Sequence, residues 1–341
     1  MGGASSSQSR IVKAQGHLTP GHLAVTLGVL AALALAALVF AVATGSTEVS
    51  LQESLVALAG GGEALSRTLI LELRLPRALA AFATGGLLAV AGALMQVLLR
   101  NPLADPYVLG LSGGAAVGAL LAMLAGLGSA LISGSAFAGA LTATLLVFGL
   151  AHGTGSWTPS RLLLTGVVVA SGWGAVITLI LSLSPARQLP GMLYWLMGDL
   201  AHARAPGAAL GLLALVCLLV VPLGRSLNVL ARGGLQAAAL GVAVRRLEWL
   251  IYLLASLVTA VAVTTAGSIG FVGLVVPHML RLVLGNDQRL ILPACALAGG
   301  TLLVLADTLA RTIIAPEQLP VGVITALLGV PTFLYLLHRS R

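Results

Sequence analysis

The chain of 341 residues is 58% hydrophobic and only 8% charged, with a mean hydropathy of +1.06 and a formal net charge of +8. A soluble domain carries about a quarter of its residues as charges, so this chain cannot cover a water-facing surface and reads as an integral membrane protein. Its apolar runs are continuous, not alternating, which makes them helices whose backbone groups are satisfied internally. The basic residues sit at the ends of those runs, where membrane topology puts them, so the net charge is no sign of nucleic acid.

The chain opens with a polar tail over 1–22, holding Arg10 and Lys13, and a first apolar run near 23–43. Residues 41–43 resemble a signal-peptidase site. The run of about 21 residues exceeds the usual signal core of about 7–15, so it reads as a retained helix. Nine further spans lie near 78–98, 108–128, 134–151, 162–183, 207–224, 249–266, 271–284, 291–310 and 320–337. The fold class is therefore all-α: one polytopic membrane domain over 23–341 with about ten transmembrane helices. The eighth span is short and reads as a half-helix.

Ten spans put both termini on one side. With that side cytoplasmic, the outer segments hold only six of the 18 basic residues: Arg67, Arg74, Arg77, Arg187, Arg204 and Arg311. The bias supports cytoplasmic termini. It leaves the outer arginines to be explained, above all Arg74 and Arg77 around Pro76.

Gly110, Gly114, Gly118, Ala122 and Gly126 recur every four residues, the spacing of a close helix–helix contact. NPLADP (101–106) reads as a rigid turn, with Asp105 placed to cap the next helix. The 225–248 connection is basic and punctuated by Gly233, Gly234 and Gly241, which suits two short helices with a turn. Such a pair can seat in a groove of a partner or lie on anionic lipid. GSIGFVG (267–273) puts a glycine at every third position ahead of Pro277, the pattern of a bend or an unwound turn in a membrane helix. Asp307 and Arg311 are spaced for an i,i+4 ion pair. Cys217 and Cys295 read as buried free thiols, His278 as structural, and no metal-ligand spacing is present. Lys13 is the only lysine and there is no GxxxxGK[ST], so the chain has no P-loop.

Three long segments, RLPRALAAFATGGLLAVAGALMQVLLRNPLADPYVLGLSGGA (74–115), GSIGFVGLVVPHMLRLVLGNDQRLILPACALAGGTLLVLADTLAR (267–311) and LPVGVITALLGVPTFLYLL (319–337), closely resemble the FecCD-type permeases. These are the membrane subunits of type II ABC importers for cobalamin, haem and ferric siderophores. The resemblance implies a permease homodimer with two ATPase subunits and a periplasmic substrate-binding protein, in the bacterial inner membrane. ATP and Mg would bind the ATPase, with no cofactor or catalytic residue in this chain. By the same resemblance, Gly233, Leu235, Ala238, Ala239, Leu240 and Gly241 belong to coupling helices docked on the ATPase. Thr158, Pro159 and Ser160 form the cytoplasmic gate, although Pro159 departs from the small hydroxyl residues expected there. Arg74, Arg77 and Arg311 meet acidic residues of the binding protein. Met192, Tyr194 and Met197 lie by the mouth of the path, where soft and aromatic side chains suit a large planar ligand or equally an interfacial belt.

The expected function is import of an iron chelate (haem or ferric siderophore) or cobalamin by alternating access. An ion-coupled secondary transporter would need ionisable residues near the midplane, which these spans almost lack. An intramembrane enzyme would have only His278 and Asp307 to work with.

Overall fold

The computed structural model describes residues 20–45, 50–152, 158–201, 203 and 205–339. The polar tail up to residue 19, Arg204 and most of the turn before Thr158 lie outside them. Among the described residues every regular element is helical. Six helices are long and apolar enough to cross a membrane, with a seventh if two helices bent by 70° are taken as one span, and three shorter apolar helices accompany them. Each of the ten expected spans overlaps one of these helices, several of which extend beyond the expected bounds.

In chain order, α1 (Pro20–Ala43) is followed by two short helices, α2 (Leu51–Leu58) and α3 (Ala64–Thr68). A π-helical segment (Leu69–Arg74) then runs without a break into α4 (Leu75–Leu98). The sequence reading had Arg74 and Arg77 in a connection ahead of the second span; the structure corrects this, since both lie inside one continuous helical stretch. A proline ring collides with the carbonyl four residues back in a regular helix, and the wider π turns before Pro76 give that ring room.

Beyond a 3₁₀ turn (Pro106–Leu109) come α5 (Leu111–Leu124), α6 (Ser129–His152) and α7 (Pro159–Leu183). Next are the short α8 (Leu189–Met197) and then α9 (Gly207–Val220). The basic connection after α9 holds α10 (Gly224–Arg232) and α11 (Gly234–Ala239), the expected short pair. The chain closes with α12 (Val244–Ala266), α13 (Val272–Leu284), α14 (Gln288–Thr312) and α15 (Val321–Arg339). With 13 residues, α13 is the expected half-helix.

The core is built around α4, in which nearly every residue from Ala78 to Leu98 is buried. Small residues make this possible, because water is not there to drive helices together and close backbone approach must do so. A Cβ on Gly85 would overlap the Gly299 carbonyl of α14, and one on Gly92 would overlap the Gly273 carbonyl of α13. A Cβ on Gly300 would meet the Phe82 ring at 2.5 Å. The regular stripe on α5 packs the same way: Gly114 lies on Gly139 and Ala143 of α6, and Gly118 on Ser135. Those two positions of the stripe are packing within the subunit, whereas Gly126, past the end of α5, has open space around it.

Candidate functional site

At one end of the bundle, where the charge bias puts the outer side, α1 stops at Ala43 and leaves its last carbonyls without helical partners. Two arginines from other elements take them. Arg74 Nη1 donates to the oxygens of Val42 (3.1 Å) and Ala43 (3.2 Å). Arg311 donates through Nη2 to Ala41 (3.1 Å) and through Nη1 to Thr44 (3.2 Å). A cation at a helix C-terminus also meets the negative end of the helix dipole. Gly45 leaves space for this: a Cβ there would stand 2.7 Å from the Arg74 guanidinium carbon.

Asp307, 1% exposed, holds the cluster together. The i,i+4 pair is present, with Arg311 Nε 3.1 Å from Oδ2. The sequence did not show that Arg77 also grips this carboxylate, with Nη2 2.8 Å from Oδ1 and Nε 3.0 Å from Oδ2. Arg77 Nη1 further donates to Gln318 Oε1 at 2.7 Å. The convergence of Arg74, Arg77 and Arg311 is therefore real, but the guanidiniums point into the bundle. Arg74 and Arg311 are buried at 7% and 5% exposure.

The broken element lies between α12 and α13. Phe271 takes a left-handed backbone (φ 70°) and packs its ring on Gly329 of α15. Two of the three regularly spaced glycines are needed for close approach: Gly267 lies against the Trp195 carbonyl, and Gly273 against Leu88 and Pro106. Gly270 has open space around it. Tyr107 Oη accepts from the Ile269 amide at 3.1 Å, and Asp105 caps the 3₁₀ turn through the Tyr107 amide at 2.8 Å. Gln96 of α4 was not singled out from sequence. It donates to the Leu274 carbonyl at 3.2 Å and accepts from Arg281 Nη1, pinning α13 to α4. Half-buried His278 lies one turn before Arg281.

Of the path candidates, Tyr194 and Met197 are exposed, and Tyr194 Oη donates to the Gln318 carbonyl at 3.4 Å. Met192 is a correction: it is fully buried, packed with Val117, Leu120 and Ile180 on the opposite face of α8. Thr158 is the N-cap of α7 and accepts from the Arg161 amide at 3.3 Å. Pro159 follows in the first turn, where a missing N–H costs nothing. Ser160 is exposed.

At the opposite end, α11 and the residue that caps it present uncovered apolar side chains, while Leu227 and Leu230 of α10 are buried. Leu235 is 90% exposed and Leu240 72% exposed, while Ala237 is buried beneath them. Gly233 (φ 139°) and Gly241 (φ 79°) make the turns on either side of α11, and Ala238 and Ala239 are exposed. Asp287, between α13 and α14, accepts from Arg289 and Asn228. Burial alone would raise its pKa; the hydrogen bonds from Arg289 and Asn228 outweigh this and hold the carboxyl down at about 2.

A family model described as the FecCD transport family matches residues 33–339. The hemin transport system permease protein of Yersinia pestis is 42% identical, over 80% of this chain and 83% of its own length. The vitamin B12 import system permease protein of Vibrio cholerae is 43% identical, over 81% of this chain and 85% of its own. Among solved structures, one described as an inward-facing conformation of a metal-chelate type ABC transporter superposes with a TM-score of 0.81 at 29% identity. It covers 92% of this chain and 99% of that one.

Proposed function

The chain belongs to the FecCD transport family, and on that premise we propose that it is the membrane-spanning permease subunit of an ATP-binding-cassette importer, working as a homodimer in the bacterial inner membrane. The observation that carries this, beside the family, is the α10–α11 pair with Leu235 and Leu240 bare to solvent. Two apolar side chains on a short helical turn are what a groove in a partner takes up. The partner is a separate ATPase subunit, where ATP and Mg bind.

Both termini are cytoplasmic in this reading. Gly233, Leu235, Ala238, Ala239, Leu240 and Gly241 seat on the ATPase. Thr158, Pro159 and Ser160 open or close the inner end of the path by their place at the start of α7. Tyr194 and Met197 border the outer mouth. A periplasmic binding protein lands above the arginine cluster. Arg77, 12% exposed in its side chain, is the member nearest the surface, while Arg74 and Arg311 hold the seat from beneath. Nucleotide-driven motion of α10 and α11 switches which side the path is open to.

We take the cargo to be a bulky metal chelate, an iron chelate such as haem or a ferric siderophore ahead of cobalamin. The test is reconstitution of the permease with its ATPase and binding protein in proteoliposomes, measuring ATP-dependent uptake of haem, a ferric siderophore and cobalamin. Uptake driven by an ion gradient without the ATPase would overturn the importer reading. Preference for cobalamin would overturn only the cargo.

A further inference from the structure

Two features of α10 bear on how it is connected to the rest of the bundle. Its link to α9 is bent by 70°, and its link to α11 passes through Gly233 at φ 139°. The helical hydrogen-bond ladder is thus interrupted on both sides, and the side chains of α10 supply its direct contacts to the rest of the bundle.

Asn228 makes the polar attachment. Its Nδ2 donates to Asp287 Oδ1 at 2.9 Å, and its Oδ1 accepts from the Gln288 amide at 2.7 Å. Both halves of one amide are engaged with the first turn of α14. Asp287 is the N-cap of that helix, taking the Arg289 amide at 2.9 Å and the Arg289 guanidinium at 2.6 Å. The first turn of α10 is fitted to the same place, since a Cβ on Gly224 would meet Arg289 Cγ at 2.7 Å.

From there α14 runs 25 residues, about 37 Å of helix, lying on α4 through Gly85, Gly299 and Gly300. Its far end carries Asp307 and Arg311, tied to Arg77 of α4 and to the carbonyls ending α1. A packed helix with polar ties at both ends is the kind of contiguous element through which two sites are coupled.

We propose that Asn228 is a positioning residue for transport: it ties the first coupling helix to the N-terminus of α14, so that displacement of α10 on the ATPase is passed to α14. This rests on α10–α11 being the ATPase seat.

The experiment uses the complete reconstituted complex and measures cargo taken up per ATP hydrolysed, alongside ATPase association and thermal unfolding. Asn228→Ala keeps association and hydrolysis within about twofold, but uptake per ATP falls about fivefold or more, the scale of one lost hydrogen bond. Asn228→Asp, nearly the same shape, puts a carboxylate against Asp287 and falls at least as far. The exchange Asn228→Asp with Asp287→Asn restores a donor facing an acceptor and recovers uptake per ATP. A merely structural role would lower association, hydrolysis and thermal unfolding together with uptake. Unchanged uptake per ATP in Asn228→Ala, or parallel loss of association, hydrolysis and uptake, or no recovery in the exchange, overturns the inference. Absence of ATP-dependent uptake in the wild-type complex instead sinks the importer reading, and the inference with it.

Discussion

Arg77 and Asp307 are 230 residues apart in the chain and meet through a two-point contact, Nη2 to Oδ1 at 2.8 Å and Nε to Oδ2 at 3.0 Å. Asp307 is almost fully buried and also faces Arg311. Removing one member of such a pair leaves a buried charge without its partner, at about 3–5 kcal/mol. Asp307→Ala should therefore unfold at markedly lower denaturant or temperature in detergent. Arg77→Ala combined with Asp307→Ala should cost less than the sum of the two. Strict additivity would mean that the contact contributes nothing.

The same cluster predicts that charge reversal at Arg74 or Arg311 acts on folding as well as on any docking. Each guanidinium closes two carbonyls at the end of α1. Arg74→Glu or Arg311→Glu should fray that end, with hydrogen exchange at the Thr44 amide, now bonded to Phe40, rising by about tenfold or more. Unchanged exchange together with weakened binding-protein affinity would return these arginines to an outward-facing role.

Close packing makes a sharper contrast. A side chain on Gly92 would overlap the Gly273 carbonyl, whereas Gly211 in α9 has open space around it. Gly92→Val should lose folded protein by an amount at or beyond the upper end of overpacking, about 3 kcal/mol. Gly211→Ala should fold as well as the wild type. Yield of monodisperse protein after extraction reads out both.

At the end opposite the arginine cluster, Leu235→Glu and Leu240→Glu change exposed side chains and should leave thermal unfolding within about 0.5 kcal/mol of wild type. Affinity for the ATPase subunit should fall about tenfold or more, as for anchors lost from the centre of an interface. Equal affinity for variant and wild type would place the seat elsewhere.

The Asp287 carboxyl, held at about 2 by Arg289 and Asn228 against its burial, has a pKa below its unfolded value. Its contribution is thus present above the unfolded pKa near 4 and is lost as pH falls toward 2. The pair touches water, so its worth is about 1 kcal/mol at most. The stability gap between wild type and Asp287→Asn should be constant above about pH 4.5 and narrow steadily below it. A gap that widens on acidification would contradict the assignment.

The membrane spans, the short pair after α9, the half-helix around Pro277 and the cap at Asp105 were all legible in the chain. Each follows from properties that act over a few residues: apolar length, glycine and proline geometry, and a capping side chain. The partner of Arg77, the inward face of Met192 and the glycine pair Gly92–Gly273 were not. Arg74 and Arg77 looked like loop residues because Pro76 reads as a helix start. Only the continuous run through Leu69–Arg74 shows that they project from a helix, Arg74 toward the end of α1 and Arg77 toward Asp307. Which side chains meet across such a bundle depends on the rotation and depth of each helix against its neighbours. Those are set by where the glycines let backbones touch, a property of pairs of helices distant in sequence. Residue order and composition set what kind of elements form and roughly where they begin. Only their packing decided that Arg74 and Arg311 close the end of α1 while Arg77 and Arg311 grip Asp307, and that Asn228 at the other end meets Asp287.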